Sequence, residues 1–356
     1  MNCAFPCINA ILGFWVSDII LLNLKRQCAR MKLMIMLTIL LMVSGCEQKT
    51  GSVAEWPHAA VGVLDAVVSR DGKFSLVSSV NFGAGYWDLE KNQLLFQWRH
   101  QQDSESAITA VNLSPDGTRA ITADENTFII WNTTSGKAYG YWQAPADIRA
   151  VAISNKGRYV LLGLGSGLAV FIDMNTGRRI EFTAHRKEAV ASVDLSANGA
   201  WAFTGGNDYR AILWSTVSGK PQHLFEHKTR VTKVKLGREG KQAFTSGTLG
   251  NAHIWNIATG EKISDLKLKK REYVISAAEF SSNGKWLATG APGRDINLWD
   301  VASGERIKHF KARTRKQGKP SGAIIYGIGF DQSEAYLISE SSAGFGEKWS
   351  LNFVVP

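Results

Sequence analysis

From about residue 53 onward the chain alternates short apolar, β-rich runs with polar turns. Phe128-Ile129-Ile130 and Ala211-Ile212-Leu213 are typical runs. Clusters ending in glycine punctuate them: Ser69-Arg70-Asp71-Gly72, Ser114-Pro115-Asp116-Gly117, Ser154-Asn155-Lys156-Gly157, Ser196-Ala197-Asn198-Gly199, Gly237-Arg238-Glu239-Gly240 and Ser281-Ser282-Asn283-Gly284. Glycine supplies the positive φ of a tight turn between strands. A tryptophan followed by a polar residue keeps step, at Trp87, Trp131, Trp214, Trp255, Trp299 and Trp349. The gap from Trp131 to Trp214 is double, and Ile172-Asp173 fills its middle. The spacings then run 44, 41, 42, 41, 44 and 50 residues. A second glycine follows five residues later at Gly136, Gly177, Gly219, Gly260 and Gly304. The pattern predicts seven copies of a four-stranded unit of about 42 residues.

These copies resemble the WD-repeat family, whose units form the blades of a β-propeller. The resemblance covers nearly all of Val53 to Val354. It implies an all-β fold, a seven-bladed β-propeller. One four-stranded blade cannot bury both faces alone, whereas a closed ring buries each against its neighbours. The last copy ends after its third strand, at Lys348-Trp349-Ser350-Leu351. Val53-Ala54-Glu55-Trp56 reads like the fourth strands elsewhere, such as Leu95-Phe96-Gln97-Trp98. The N-terminal strand, Val53 to Pro57, is therefore expected to complete the last blade and remove an open edge.

The same resemblance implies a structural network of Asp, His, Ser/Thr and Trp within blades. Blade four fits best, with His185, Thr204, Asp208 and Trp214. Ser78, Thr122, Thr245, Thr289 and Ser339 recur at the second-strand position, where a hydroxyl can accept a buried indole N–H. Most blades are expected to lack the histidine or the aspartate. Blade three, with Leu162 and Ile172, is expected to lack the network, making blade stability uneven. His185, Asp208 and Thr204 mimic a hydrolase triad, but their repeat phase assigns them to structure, so no catalytic residue is expected. The seven histidines form no close-spaced metal motif, and no metal or cofactor is expected. Gly163-Leu164-Gly165-Ser166-Gly167 resembles a phosphate loop, but no helix follows, so a hairpin turn is expected.

The chain's first part differs. All four cysteines, Cys3, Cys7, Cys28 and Cys46, lie in the first 46 residues, so the body is expected to hold no disulfide, cysteine zinc site or thiol nucleophile. Met31-Lys32 opens an apolar run, Leu33 to Val43, of signal-peptide length. It ends in Val43-Ser44-Gly45-Cys46, which resembles a bacterial lipobox. The resemblance implies cleavage before Cys46 and lipidation of that cysteine. Glu47 implies sorting to the outer membrane, with the protein lipid-anchored on the periplasmic face. Residues 1–30 fit no secretory n-region and read as a spurious extension with Met31 as the start, or alternatively as a cytoplasmic or inner-membrane extension. The expected organisation is residues 1–30 extension, 31–45 signal peptide, 46–52 lipidated linker and 53–356 propeller.

With 356 residues, 45% hydrophobic and 20% charged, the chain can bury a large core. Its formal charge is +10. Loss of residues 1–45 removes Lys25, Arg26, Arg30, Lys32 and Asp18 and leaves +7. Export argues against nucleic acid despite the basic balance. The resemblance places the loops between successive units on the top face, and several are basic. One holds Lys267, Lys269, Lys270 and Arg271; the next holds Lys311, Arg313, Arg315, Lys316 and Lys319; others hold Arg186-Lys187 and Lys228 with Arg230. Solvated charge is one reading. The other is a positive crescent for an acidic protein partner, centred on Lys269, Lys270, Arg271, Arg313, Arg315 and Lys316. The leading expectation is a monomeric interaction scaffold that meets the membrane through its lipid alone. A propeller binding a small ligand or envelope phosphate at the channel mouth, or a hydrolase, stays open as an alternative.

Overall fold

Each polar turn in the repeat reverses the chain, and each apolar run between turns becomes a strand. The computed structural model describes residues 51–101, 107–269, 274–315 and 322–351. It holds seven four-stranded antiparallel sheets. Blade one is Val63–Val68, Phe74–Ser79, Gly83–Asp88 and Gln93–Trp98, paired in chain order. Blades two to six repeat this plan, with strands a to d running from the inner edge outwards. The glycines after the tryptophans take φ of 70° to 75° in the turn between strands c and d (Gly136, Gly177, Gly219, Gly260 and Gly304). At Gly304 a Cβ would lie 2.0 Å from the Asp265 carbonyl of the preceding blade, so a side chain would push two blades apart.

Register shifts recur at the tryptophans, between Tyr86/Trp87, Ile130/Trp131, Leu213/Trp214, Ile254/Trp255 and Leu298/Trp299. Such bulges bend and twist a strand locally. The core lies between blades. Leu76, Tyr86 and Trp98 of blade one bury against Ile108, Val111 and Trp131 of blade two. Trp98 and Trp131 stack with centroids 5.2 Å apart, and the Trp98 indole donates to the Gly136 carbonyl at 3.0 Å.

The ring closes where the repeat phase predicts. Ala54–Pro57 is the fourth strand of blade seven, beside Phe345–Ser350. Ala54 pairs with Lys348 and Pro57 with Phe345. Beyond it, the His58 and Ala59 N–H groups both donate to Gly344 O, at 2.9 and 3.2 Å. His58 Nδ1 meets Glu340 Oε1 at 2.9 Å, both side chains being buried.

Candidate interaction surface

The top face is the side carrying the d–a connections and the b–c turns. Blade four shows how strand ends hold these loops. His185, before strand Val190–Leu195, places Nε2 2.7 Å from Thr204 Oγ1 and Nδ1 2.9 Å from Asp208 Oδ1. The Trp214 indole donates to Thr204 Oγ1 at 2.9 Å. The chain linking the d–a connection, the b–c turn and the middle of the sheet is complete, as the repeat phase implies.

Four other indoles donate to the equivalent hydroxyl: Trp131 to Thr122, Trp255 to Thr245, Trp299 to Thr289 and Trp349 to Ser339. In blade one, Ser78 instead donates to the Asp65 carbonyl. Blade two holds a second full network that sequence reasoning missed, since His100 meets Thr122 at 2.8 Å and Asp124 at 3.0 Å. Blade five holds part of one. His227 Nε2 meets Thr245 at 2.9 Å, while the buried Nδ1 has no partner. Burial, and then the neighbouring His253, push the His227 imidazole down to about 4.

The structure brings only some of the basic crescent to a free surface. Lys267 pairs with Glu305, and Lys311 with Asp295 at 2.8 Å. Arg313 pairs with Glu55 of the closing strand, and its N–H lies 3.2 Å from both Glu347 carboxylate oxygens. Arg315 donates from Nε to Ala343 O at 2.7 Å, from Nη2 to Ala59 O at 2.5 Å, and from Nη1 to Ala60 O. Arg313 and Arg315 therefore clamp the ring seam. Lys269 is exposed. Lys270, Arg271, Lys316 and Cys46 lie outside the described residues.

The connections flanking blade four differ. Arg186, Lys187, Lys228 and Arg230 are exposed, and among the described residues none makes an ion pair. Glu188 and Glu226 are the nearby exposed acids, and Glu226 lies 3.9 Å from Arg210. Arg186, Lys187 and Tyr209 have φ of 44°, 65° and 71°, in the left-handed region that costs residues with a Cβ. Tyr209 occupies the tip of the blade-four b–c turn and is 51% exposed. Backbone bonds join these loops: Asn207 N–H donates to Ala189 O at 2.9 Å, and His227 N–H to Tyr209 O at 2.8 Å. Neither the crescent residues nor these four were separable by composition. Only pairing distinguishes them.

The inner strands enclose a polar channel cavity of about 280 Å³. On its wall Lys235 lies 2.8 Å from Glu279 and 3.8 Å from Asp194, and Arg238 lies 3.3 Å from Glu279. Burial alone would raise the Glu279 carboxyl; Lys235, Arg238 and Arg70 outweigh it and hold the pKa low. No group of three or more His, Cys, Asp or Glu among the described residues is placed to hold a metal. No helix among them is long and apolar enough to cross a membrane.

Residues 93–132, 178–215 and 264–300 match the family profile "WD domain, G-beta repeat". Each match runs from strand d of one blade through strand c of the next. The chain thus carries WD40 repeats in a seven-bladed propeller. It is 24% identical over 165 residues to Autophagy-related protein 16 of Arabidopsis thaliana, covering 46% of this chain and 32% of that protein. It is 25% identical over 169 residues to Protein groucho of Drosophila melanogaster, covering 47% of this chain and 22% of that protein. In both relatives the matched region is less than two thirds of the length.

Proposed function

We propose that this propeller is an exported, non-catalytic interaction scaffold, lipid-anchored through Cys46 on the periplasmic face of the outer membrane, that docks an acidic protein partner on its top face. WD40 propellers are typically protein-interaction scaffolds, which supports the general class. The observation that carries the docking face is the set of unpaired cations around blade four. Arg186, Lys187, Lys228 and Arg230 stand on adjacent loops, and none of them makes an ion pair among the described residues. Strained backbone at Arg186, Lys187 and Tyr209 is held in place by the surrounding network, as expected where side-chain presentation matters. Lys269, Lys270, Arg271 and Lys316, of the neighbouring connections in the chain, are proposed to add to the positive charge offered to the partner. Arg313 and Arg315 are taken up in fixing the seam.

A basic face of this kind sets association rate and register, and salt weakens it. The test is cross-linked recovery of envelope partners by wild type and by a variant with Arg186, Lys187, Lys228 and Arg230 changed to Glu. Recovery should fall in the variant at low salt and fall in wild type as salt rises, with melting unchanged. Equal recovery at low salt would return these charges to simple solvation. Lipid attachment is tested separately: labelled palmitate should mark wild type and not Cys46→Ser, and equal labelling would remove the anchor from the proposal.

A further inference from the structure

Each blade turns the inner edge of its first strand towards the channel, where no further strand pairs with it. The polar groups of such an edge need partners. Side chains of the preceding blade supply several. Asp65 Oδ2 accepts the Val111 N–H at 2.9 Å, and Ser192 Oγ accepts the Val234 N–H at 3.1 Å. Asp65 and Ser192 share one repeat position, four residues before the turn residues Ser69 and Ser196. The same position in blade five, four residues before Gly237, is Lys233.

A lysine inverts the chemistry, because it donates and cannot accept. By the repeat phase, the amide in this relation to Lys233 is that of Ala278. Two donors therefore face the channel where blades one and four provide a built-in acceptor. The remaining blades carry alanine or glycine there and add no charge. Lys233 makes no hydrogen bond or ion pair among the described residues, whereas Lys235, two residues on, is held between Asp194 and Glu279. Burial lowers the Lys233 pKa, while Asp65, Asp194 and Glu279 pull it up and Lys235 pulls it down. Asp194 is already engaged by the Leu236 N–H at 2.7 Å, and Glu279 by Lys235 and Arg238. Asp65 is engaged as well, its two carboxylate oxygens accepting the Ala66 and Val111 N–H groups at 2.9 Å each. The cavity beside Lys233 measures about 280 Å³, room for an oxyanion and its waters.

We propose that the channel holds a small oxyanion, phosphate or a carboxylate, on Lys233. A charge-assisted bond to the ammonium supplies the acceptor that the blade-five position lacks. This site is independent of the top-face partner and of lipid attachment.

The test is calorimetric titration of the purified full chain with inorganic phosphate, and separately with acetate, at constant ionic strength set by chloride. Wild type and Lys233→Arg should bind, with binding at least about tenfold weaker in Lys233→Gln. Saturation with phosphate alone identifies a tetrahedral anion, and saturation with both identifies general oxyanion recognition; either supports the site. Absence of binding by wild type overturns the proposal whatever the variants do. Equal binding by Lys233→Gln also overturns it, because the anion then lies elsewhere. Melting in phosphate gives a second readout. General stabilisation by an excluded salt acts on wild type and Lys233→Gln alike, whereas site binding raises only the wild-type midpoint.

Discussion

Replacing Arg315 by methionine should open the ring at its seam. The guanidinium joins three carbonyls from two parts of the chain, Ala343 beside blade seven and Ala59 and Ala60 just after the closing strand. Hydrogen bonds involving a charged group contribute about 1.5–3 kcal/mol each. The side chain is half-exposed, and water can replace part of what the carbonyls lose. A net loss of about 2–3 kcal/mol follows, concentrated at the closing strand. Native-state hydrogen exchange reads it locally, through the Val53 amide, bonded to Lys348 O at 2.7 Å, and the His58 amide, bonded to Gly344 O at 2.9 Å. Their protection should fall by about 30- to 150-fold, while blade-three amides keep theirs. Methionine retains the aliphatic bulk, so the change isolates the guanidinium. Unchanged protection at Val53 and His58, with urea stability within about 0.5 kcal/mol of wild type, would refute the clamp.

Thr204→Val strands both the His185 imidazole and the Trp214 indole and should cost about 2–4 kcal/mol, whereas Ser339→Ala strands the Trp349 indole and should cost about 1–2 kcal/mol; urea denaturation orders the two. Burial, and then Glu55 and Glu340, push the Glu347 carboxyl up to about 7 from 4.5, against opposing contributions from Arg313. A carboxyl raised in the folded state binds its proton more tightly than in the unfolded chain. Its contribution is therefore full below pH 4.5 and is lost as pH rises to about 7, a change of about 3 kcal/mol. Glu347→Gln should flatten that part of the stability–pH profile, and an unchanged slope would reject the assignment.

The ring was legible in the sequence because its signals are local and repeated. Turn glycines and tryptophans recur at nearly constant spacing, and the missing fourth strand of the last copy announced its replacement at the other end. The blade-two network was hidden by a spacing change. His185 and His227 stand 19 and 18 residues before their threonines, whereas His100 stands 22 before Thr122 across a longer connection. The roles of Arg313 and Arg315 were not legible because their seam partners lie 255 to 258 positions away. Charge could be counted from the chain, but neutralisation could not.

Uneven networks need not mean uneven blades. Blade three has neither histidine nor tryptophan, yet Leu162 is buried with Ile153, Val160, Leu164 and Val170, and Ile172 packs against that cluster. Replacing both partners of a buried hydrogen bond by apolar groups is nearly neutral, whereas leaving one partner behind costs its full desolvation. Blade five, with the stranded Nδ1 of His227, is therefore the weaker arrangement. The same logic separates two leucine substitutions. His185→Leu removes the Nδ1 contact at 2.9 Å from an Asp208 side chain that is only 1% exposed, and should cost about 3 kcal/mol. His227→Leu removes an unsatisfied nitrogen, while Thr245 keeps the Trp255 indole at 2.8 Å, and should change stability by less than about 1 kcal/mol. Urea denaturation of the two variants decides between them. Equal losses would mean that the histidines act as packing volume, and that the aspartate in blade four adds nothing.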